Sequence, residues 1–410
     1  MTEMRGGGER GALRQVALSA YGPTLLGSTG AGAVSPIIAL SARELGASVG
    51  VAALVVAALG VGQLLGDLPS GALAARIGER RALLVAAVVE AVGMLVAALA
   101  HSVGLLFVGV LVIGLAGSLF GLARQAYLTE AVPVALRARA LSTLGGVSRV
   151  GAFLGPFIGS FVIVRWGTGA AYVVGVVASL AAFALVWLAP DITATPSGAV
   201  GSAPPLSVAS VLARHRHVLL TLGTGAMCVA GARAVREALV PLWAESVGLT
   251  PAQTSLVFGV AGALDMLLFY PSGWLMDRHG RVAAAVPSMV VLGVGMALLP
   301  LATTFVTVTV VATVLGLGNG LGAGLIMTLG ADASPVEGRA QFLGGWRLFA
   351  DVGRAAGPLA LSALSAVLTL GASAVVLGAG TLAGAVWLKV WVPRHDPTRR
   401  RGGGPEATVS

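Results

Sequence analysis

The sequence of 410 residues contains one cysteine, Cys228, and one lysine, Lys389. A single cysteine excludes a disulfide framework and any metal site that needs several thiolate ligands. The single lysine does not end a glycine-rich run, so the chain has no phosphate-binding loop of the Gly-x-x-x-x-Gly-Lys type. We therefore expect no ATP hydrolysis by that route, no cofactor, no metal and no enzymatic activity.

Charge is also scarce, because Asp, Glu, Lys and Arg together make up 10% of the residues. Hydrophobic residues account for 56%, and the mean hydropathy is +0.91. A soluble chain of this length cannot bury so much apolar surface, whereas runs of about 20 apolar residues each span a bilayer. The sequence predicts an all-α, polytopic membrane protein with twelve transmembrane helices, here called spans 1 to 12. They are predicted at 15–40, 48–73, 82–100, 103–129, 138–163, 167–189, 217–243, 251–275, 282–301, 304–331, 339–367 and 371–391.

The net charge of +9 comes from arginine, which supplies all but one of the 26 basic residues. With the N-terminus inside, 18 basic residues fall in internal segments, two in external loops and six within spans. The positive-inside rule then places both termini in the cytoplasm. We expect the cell membrane of a bacterium, with lipid headgroups rather than nucleic acid as partners of the arginines.

A repeat relates the two halves of the chain at an offset of 202 residues. The segment Pro271–Arg281 has a near-copy at Pro69–Gly78, and the same offset aligns Pro133 with Pro335 and Gly155–Pro156 with Gly357–Pro358. Such a register predicts two pseudo-symmetric six-helix bundles. The predicted organisation is a cytoplasmic tail over 1–14, bundles over 15–189 and 217–391, a flexible linker over 190–216 and a disordered tail over 392–410.

The loop after span 8 carries a complete Gly-x-x-x-Asp-Arg-x-Gly-Arg motif. In the first half Ala75 replaces the acid and Glu79 replaces the last basic residue. Two parallel six-helix halves with this motif resemble the Major Facilitator Superfamily. The resemblance implies alternating access, with the motif either switching the conformation or simply connecting two helices. The motif residues are Gly71, Arg76 and Gly78 in the first half, and Gly273, Asp277, Arg278, Gly280 and Arg281 in the second.

Span 5 contains Gly151, Gly155, Pro156 and Gly159, with Ser160 following. This spacing resembles the Gly-x-x-x-Gly-Pro-x-x-Gly-Gly signature of the drug–proton antiporters of that family, with serine for the last glycine. The alternative is a kinked helix whose glycines allow close packing.

Ionisable residues inside spans are costly in a bilayer and are therefore candidates for function. Spans 6, 9 and 12 have no ionisable residue in their cores, and span 3 has only Glu90. The resemblance implies that these four spans lie on the outside of the bundle, and the scarcity of charge in them agrees with that position. The histidines lie at span ends, which argues against a histidine proton relay. The proton-coupling candidates are Asp67, Glu237, Asp265 and Asp351. The cavity candidates are Arg124, Arg149, Arg233, Arg236, Asn319, Arg347 and Arg354.

Pairings follow from the offset. Arg149 and Asp351 are equivalent positions, so we expect them at one depth and able to pair in one state of the cavity. Glu130 and Asp332 are also equivalent, and we predict them as partners of Arg76 and Arg278. Asp67 either carries a proton or pairs with an arginine of a facing helix.

The function predicted is secondary transport by alternating access, exporting small organic compounds in exchange for protons. One alternative is proton-coupled uptake of an anionic metabolite, which the intramembrane arginines favour; another is a sensor or scaffold that transports nothing. The expected partners are a small-molecule substrate, protons and the lipid bilayer, and we expect a monomer.

Overall fold

The structure is a computed structural model that describes residues 17–132, 136–189, 208–335 and 337–395. The predictions for the tail over 1–14, for most of the linker and for 396–410 lie outside these residues, as does Pro133. Within the described ranges the chain is helical and has no strand. Spans 1 to 6 are formed by Gly22–Val34 with Ile38–Glu44, and by Val49–Ile77, Glu79–Ala98, Val103–Ala131, Arg137–Trp166 and Gly169–Leu188. Spans 7 to 12 are formed by Thr224–Ser246, Pro251–Leu267 with Phe269–His279, Val282–Leu298, Phe305–Leu321 with Leu325–Ala333, Arg339–Ser365 and Leu370–His395.

Eleven of the described helices are long and apolar enough to cross a membrane by length and composition. The helix outside that set is span 11, which has 27 residues but carries Arg347, Asp351 and Arg354 in its middle. Its length still suffices for a bilayer at 1.5 Å per residue. The chain is a twelve-helix, multi-pass membrane protein, as predicted.

The ends of equivalent spans use equivalent residues. Ser48 and Thr250, which are 202 residues apart, each cap a helix by accepting a hydrogen bond from the backbone amide three residues on. Gly78 and Gly280 end spans 2 and 8 with φ of 82° and 85°, a backbone conformation that glycine adopts without strain. We call the end of the molecule that holds these two glycines the arginine-rich end, and the other the opposite end.

Close helix packing repeats in the same register. A methyl group added at Gly114 in span 4 would collide with the carbonyl oxygen of Leu59 in span 2. One added at Gly316 in span 10 would collide with the carbonyl oxygen of Ala261 in span 8. Both residues of the second contact are offset from the first by 202, so the two halves pack their helices alike.

The halves meet along spans 2 and 11 and along spans 5 and 8. Near the opposite end, the Arg43 Nε lies 2.9 Å from Glu245 Oε2, and Ser160 donates to the Ala252 carbonyl at 2.9 Å. The pair of Arg347 with Asp67 also joins the halves. Between described residues, no other hydrogen bond or ion pair across the interface lies closer to the arginine-rich end. The space between the halves is therefore closed at the opposite end.

The structure differs from the sequence prediction at the linker and at the last tail. Val208–Arg214 is a helix, and it packs on span 11, where Leu212 occupies the space beside Gly345. Val211 is buried. Apolar contact with the second half thus orders the part of the linker that we expected to be flexible. Span 12 likewise continues to His395, four residues into the predicted tail.

Three spans are interrupted. Span 1 breaks between Val34 and Ile38, span 8 at Leu268, and span 10 between Leu321 and Leu325. Gly324, in the last of these breaks, has φ of 76°. The missing amide hydrogen of Pro271 removes a backbone hydrogen bond beside the break in span 8.

Candidate functional site

A cavity of about 570 Å³ lies between the two halves. Residues of spans 1, 2, 3, 4, 5, 7, 10 and 11 line it, so neither half forms it alone. Five of the predicted residues lie on its wall, namely Arg149, Arg233, Glu237, Asn319 and Arg354. Among the described residues there is no cluster of histidine, cysteine and acidic side chains that could hold a metal ion.

One wall of the cavity contains an ion pair between spans 5 and 8. Arg149 Nη1 donates to Asp265 Oδ1 at 2.8 Å, and the Arg149 guanidinium lies 4.7 Å from the centre of the Phe269 ring. The two charged side chains are 22% and 21% exposed, so the pair is partly desolvated. It holds together two helices that belong to different halves.

A second pair, between spans 2 and 11, lies behind the residues that line the cavity. Arg347 Nη2 lies 3.0 Å from Asp67 Oδ1, and Ser118 donates to the same oxygen at 2.9 Å. The expectation that Asp67 pairs with an arginine of a facing helix is confirmed. Arg347 also reaches Asp351, with Nε 3.5 Å from Oδ2.

Asp67 and Asp351 are themselves neighbours, because both contact the guanidinium of Arg347, and their side chains interact with each other. The Oδ2 atoms of both are buried and have no hydrogen-bond donor. Two carboxylates in contact repel when both are ionised, and a buried oxygen without a donor is unfavourable. A proton held between the two groups removes both costs.

The predicted pair of Arg149 with Asp351 is not present. Arg149 binds Asp265, and Asp351 lies near Arg347 and Arg354, the latter at 3.9 Å. The reason is geometric: positions related by the pseudo-two-fold face each other across the cavity and touch only where they lie on the axis.

Arg233, on span 7, is anchored to backbone rather than to an acid. Its Nη2 donates to the Gly322 carbonyl at 2.6 Å, where span 10 is interrupted. Carbonyls at a helix end carry partial negative charge, so the guanidinium is favourably placed there. Its Nε, the Arg236 Nε and the Asn319 Oδ1 are buried without partners.

Arg124 and Glu90 lie apart from the cavity wall. Arg124 is 5.8 Å from the centre of the Phe120 ring and interacts electrostatically with Glu90 and Arg347. Glu90 is buried within the first half, in reach of Ser179.

Two residues of the site were missed by sequence reasoning. Gln63 accepts a hydrogen bond of 2.5 Å from Arg354 across the interface of spans 2 and 11. It is the equivalent of Asp265 under the 202-residue offset, which could have identified it. Ser118, a small polar residue within an apolar span, gives no such signal.

Comparison with known families decides the identity. The sequence profile of the Major Facilitator Superfamily matches residues 24–235 and again 222–409. The chain belongs to the Major Facilitator Superfamily. The two matches overlap at 222–235 and together cover spans 1 to 12. Family and fold point to a transporter rather than an enzyme.

Solved structures show the same fold at low sequence identity. A POT family transporter in complex with a thioalcohol-conjugated peptide aligns with a TM-score of 0.76 and 13% identity, over 93% of this chain and 96% of that chain. A POT family transporter in complex with 5-aminolevulinic acid gives 0.74 and 14%, over 93% and 96%. The nucleoside transporter NupG gives 0.74 and 12%, over 91% and 99%. No curated protein matches by sequence. These matches do not distinguish the drug–proton antiporter branch.

The Major Facilitator loop motif is tied together only in the second half. Arg281 donates to Asp332 Oδ2 at 2.8 Å, to Asp277 Oδ1 at 3.0 Å and to the Met276 carbonyl at 2.9 Å. The hydrogen bond to Asp332 raises the pKa of Arg281 above its ordinary value. The predicted pair of Arg278 with Asp332 is therefore wrong, because Arg278 instead lies 5.4 Å from the centre of the Trp274 ring.

The first half lacks this arrangement, since the equivalent of Arg281 is Glu79. Glu79 and Glu130 carry like charges near each other. No ion pair of Arg76 with Glu130 is found between described residues, contrary to the prediction. Arg80 instead donates to the Val186, Trp187 and Ala189 carbonyls at the end of span 6.

The glycines of span 5 pack against span 1. A methyl group at Gly151 would lie 2.6 Å from the Leu25 carbonyl oxygen, and one at Gly159 would lie 3.0 Å from that of Ala33. Gly155, next to Pro156, meets the Thr29 carbonyl more closely still. The spacing serves close helix approach, whatever further role the motif has in transport.

Proposed function

We propose that this Major Facilitator Superfamily member exports small organic compounds in exchange for protons by alternating access. The family match, the cavity between the halves and the ionisable residues on and behind its wall support the proposal. In transporters of this kind one central site is exposed to each side in turn, as the two halves rock about it.

The contact of Asp67 with Asp351 is the observation that carries the proposal. Without a proton, two buried carboxylates lie beside Arg347, with Arg354 3.9 Å from Asp351. One proton relieves the repulsion between the two carboxylates and supplies a donor to buried oxygens that have none. Because one acid comes from each half, loss of the proton adds repulsion across the interface of spans 2 and 11. Protonation and the relative position of the halves are then linked.

The state of the cavity is the one in which an exporter takes up its substrate. The contacts of Arg43 with Glu245 and of Ser160 with Ala252 close the opposite end. The positive-inside rule places the arginine-rich end in the cytoplasm. Substrate then loads from the cytoplasm in this state, which is the loading step of an exporter.

A second candidate, proton-coupled uptake of an anionic metabolite, is favoured by the charges on the cavity wall. Three of the four charged residues that line it, Arg149, Arg233 and Arg354, are arginines, against Glu237. An importer also visits this state, when it releases its substrate.

Proton movement in proteoliposomes distinguishes the candidates. The purified chain is reconstituted with a pH-sensitive dye trapped inside and challenged with a panel that includes ethidium and carboxyfluorescein. Antiport moves protons against the substrate and symport moves them with it, whichever way the protein is inserted. We expect substrate-dependent proton movement of the antiport sign, abolished by an uncoupler. Symport sign would establish the second candidate, and transport without any proton movement would overturn both.

A further inference from the structure

A second cavity, of about 380 Å³, lies between spans 5 and 8 on the side of the arginine-rich end. Its lining is mostly apolar and includes Gly146, Val150, Met266 and Tyr270. Arg149 lines both this cavity and the central one. The two spaces are therefore separated by the Arg149 side chain and its partners Asp265 and Phe269. We call the second cavity the lateral entrance.

The outer side of the lateral entrance faces lipid. Tyr270 is 74% exposed and Val150 is 40% exposed, and apolar exposure within a span means contact with the bilayer. Gly146 lies nine residues after the start of span 5 at Arg137, a rise of about 14 Å. That depth is within one leaflet of a hydrocarbon core about 30 Å thick.

The equivalent interface of spans 2 and 11 is tighter at matched positions. A methyl group at Gly60 in span 2 would lie 2.9 Å from the backbone of Ala355 in span 11, whereas one at its counterpart Gly262 in span 8 would lie 3.9 Å from the Phe153 backbone. The Asp67–Arg347 pair also joins spans 2 and 11. Beside the lateral entrance, a methyl group at Gly146 would meet nothing within 4 Å, and span 8 is interrupted at Leu268.

We propose that the lateral entrance admits single-chain amphiphiles with an acidic head group from the adjoining leaflet into the central cavity. The apolar lining suits an alkyl chain. Arg149 stands at its inner end, with Arg233 and Arg354 beyond it on the wall of the central cavity. Glu237 is the acidic residue that lines the central cavity with these three arginines, whereas Asp265 and Asp351 line neither cavity. This inference rests on the proposed function, for which it names a substrate class.

Labelling with a photoactivatable palmitic acid, carrying a diazirine in its chain, tests the entrance in proteoliposomes of the full chain. We expect peptides of spans 5 and 8 around Val150 and Met266 to be labelled several-fold more than the lipid-facing surface of span 6. The diazirine alcohol of the same chain length, which lacks the acidic head, should label them several-fold less. Equal labelling by acid and alcohol, or even labelling over all lipid-facing spans, would overturn the proposal.

Substitution provides a second arm. Gly146→Trp places a large side chain at a position where an added Cβ meets nothing within 4 Å, and it should reduce the labelling at Met266 at least fivefold. Its matched control is Leu348→Trp, because Leu348 is the equivalent of Gly146 under the 202-residue offset and is 42% exposed. The control should leave the labelling unchanged, and a reduction of equal size in both would contradict the proposal. The wild-type comparison of acid with alcohol decides the question if Gly146→Trp fails to fold. Labelling needs neither a proton gradient nor transport, so its result is independent of the proton assay.

Discussion

The carboxyl groups of Asp67 and Asp351 meet across the boundary between the two halves of the molecule. Asp67 Oδ1 is held by Arg347 and Ser118, while the second oxygen of each acid is buried without a donor. In aspartic proteases two neighbouring carboxyl groups share one proton, and the proposed function assigns the same role to this pair. Because each half supplies one of the two acids, binding of the proton would change the interaction between the halves.

Replacing Asp67 with asparagine should uncouple transport from protons. Asp67→Asn supplies a permanent hydrogen-bond donor in place of the proton, so the variant should bind substrate and exchange it across the membrane. Its accumulation ratio under a proton gradient should fall at least tenfold, measured in energised vesicles. Asp277→Asn, at a residue whose side chain is 80% exposed, should behave as the wild type. Full proton-driven accumulation by Asp67→Asn would leave Asp351, Glu237 and Asp265 as the remaining candidates.

The glycines of span 5 should be intolerant of even one methyl group. Gly151→Ala places a carbon 2.6 Å from the Leu25 carbonyl oxygen, and relieving such overpacking costs about 1–3 kcal/mol. We expect a lower thermal denaturation midpoint in detergent, with loss of transport. Gly121→Ala is the control, because a methyl group there meets nothing within 4 Å. An unchanged midpoint for Gly151→Ala would show that spans 1 and 5 do not pack this closely.

Breaking the Arg43–Glu245 pair should open the opposite end more often. The side chains are 31% and 33% exposed, and such a pair contributes about 0.2–1 kcal/mol, or about 1.4- to 5-fold in population. In a Cys228→Ala background, Ser35→Cys on the cavity wall reports access to a membrane-impermeant maleimide. Glu245→Gln should raise the labelling rate from the opposite end by that factor.

A double-mutant cycle isolates the interaction of the two residues. Arg43→Gln combined with Glu245→Gln should label no faster than either single variant. Strictly additive effects of the two substitutions would mean that the ion pair does not hold the end closed.

The loop after span 8 should contribute to stability in a way that the loop after span 2 does not. Asp332→Asn removes the principal partner of Arg281 and should cost about 1 kcal/mol, measured as a lower denaturation midpoint. Its offset counterpart Glu130→Gln removes a like-charge contact with Glu79 and should cost nothing. Equal losses in the two variants would contradict this asymmetry.

The raised pKa of Arg281 also fixes the pH range of that contribution. A basic group with a raised pKa in the folded state stabilises the protein below its unfolded pKa and loses the contribution only as pH rises through the folded value. For an arginine the loss lies above about pH 12. The effect of Arg281→Gln on stability should therefore not diminish between neutral and mildly alkaline pH.

Sequence alone predicted the spans and the repeat because both are local properties. Apolar run length determines which segments cross the bilayer, and the offset of 202 residues appears again in the packing of Gly114 and Gly316. The residues behind the cavity wall were also predictable as candidates, since a charge inside a span needs a reason.

The pairing of those charges was not predictable. Whether Arg149 meets Asp265 or Asp351 depends on which spans touch between the halves, and no local pattern encodes that contact. The breaks in the helices have the same origin. Pro69 and Pro271 occupy equivalent positions, yet span 2 continues through its proline while span 8 is interrupted at Leu268.

Arg43 and Glu245 are separated by 202 residues, so they occupy equivalent positions in the two halves. Residues in contact with their own counterparts lie on the pseudo-two-fold axis. In a symmetric dimer of identical six-helix subunits, the same side chain would face itself there, and two arginines or two glutamates would repel. A pair of opposite charges at this point therefore requires two halves that differ in sequence. One polypeptide with two distinct six-helix halves can close its opposite end with an ion pair on the axis, which a dimer of identical subunits cannot do.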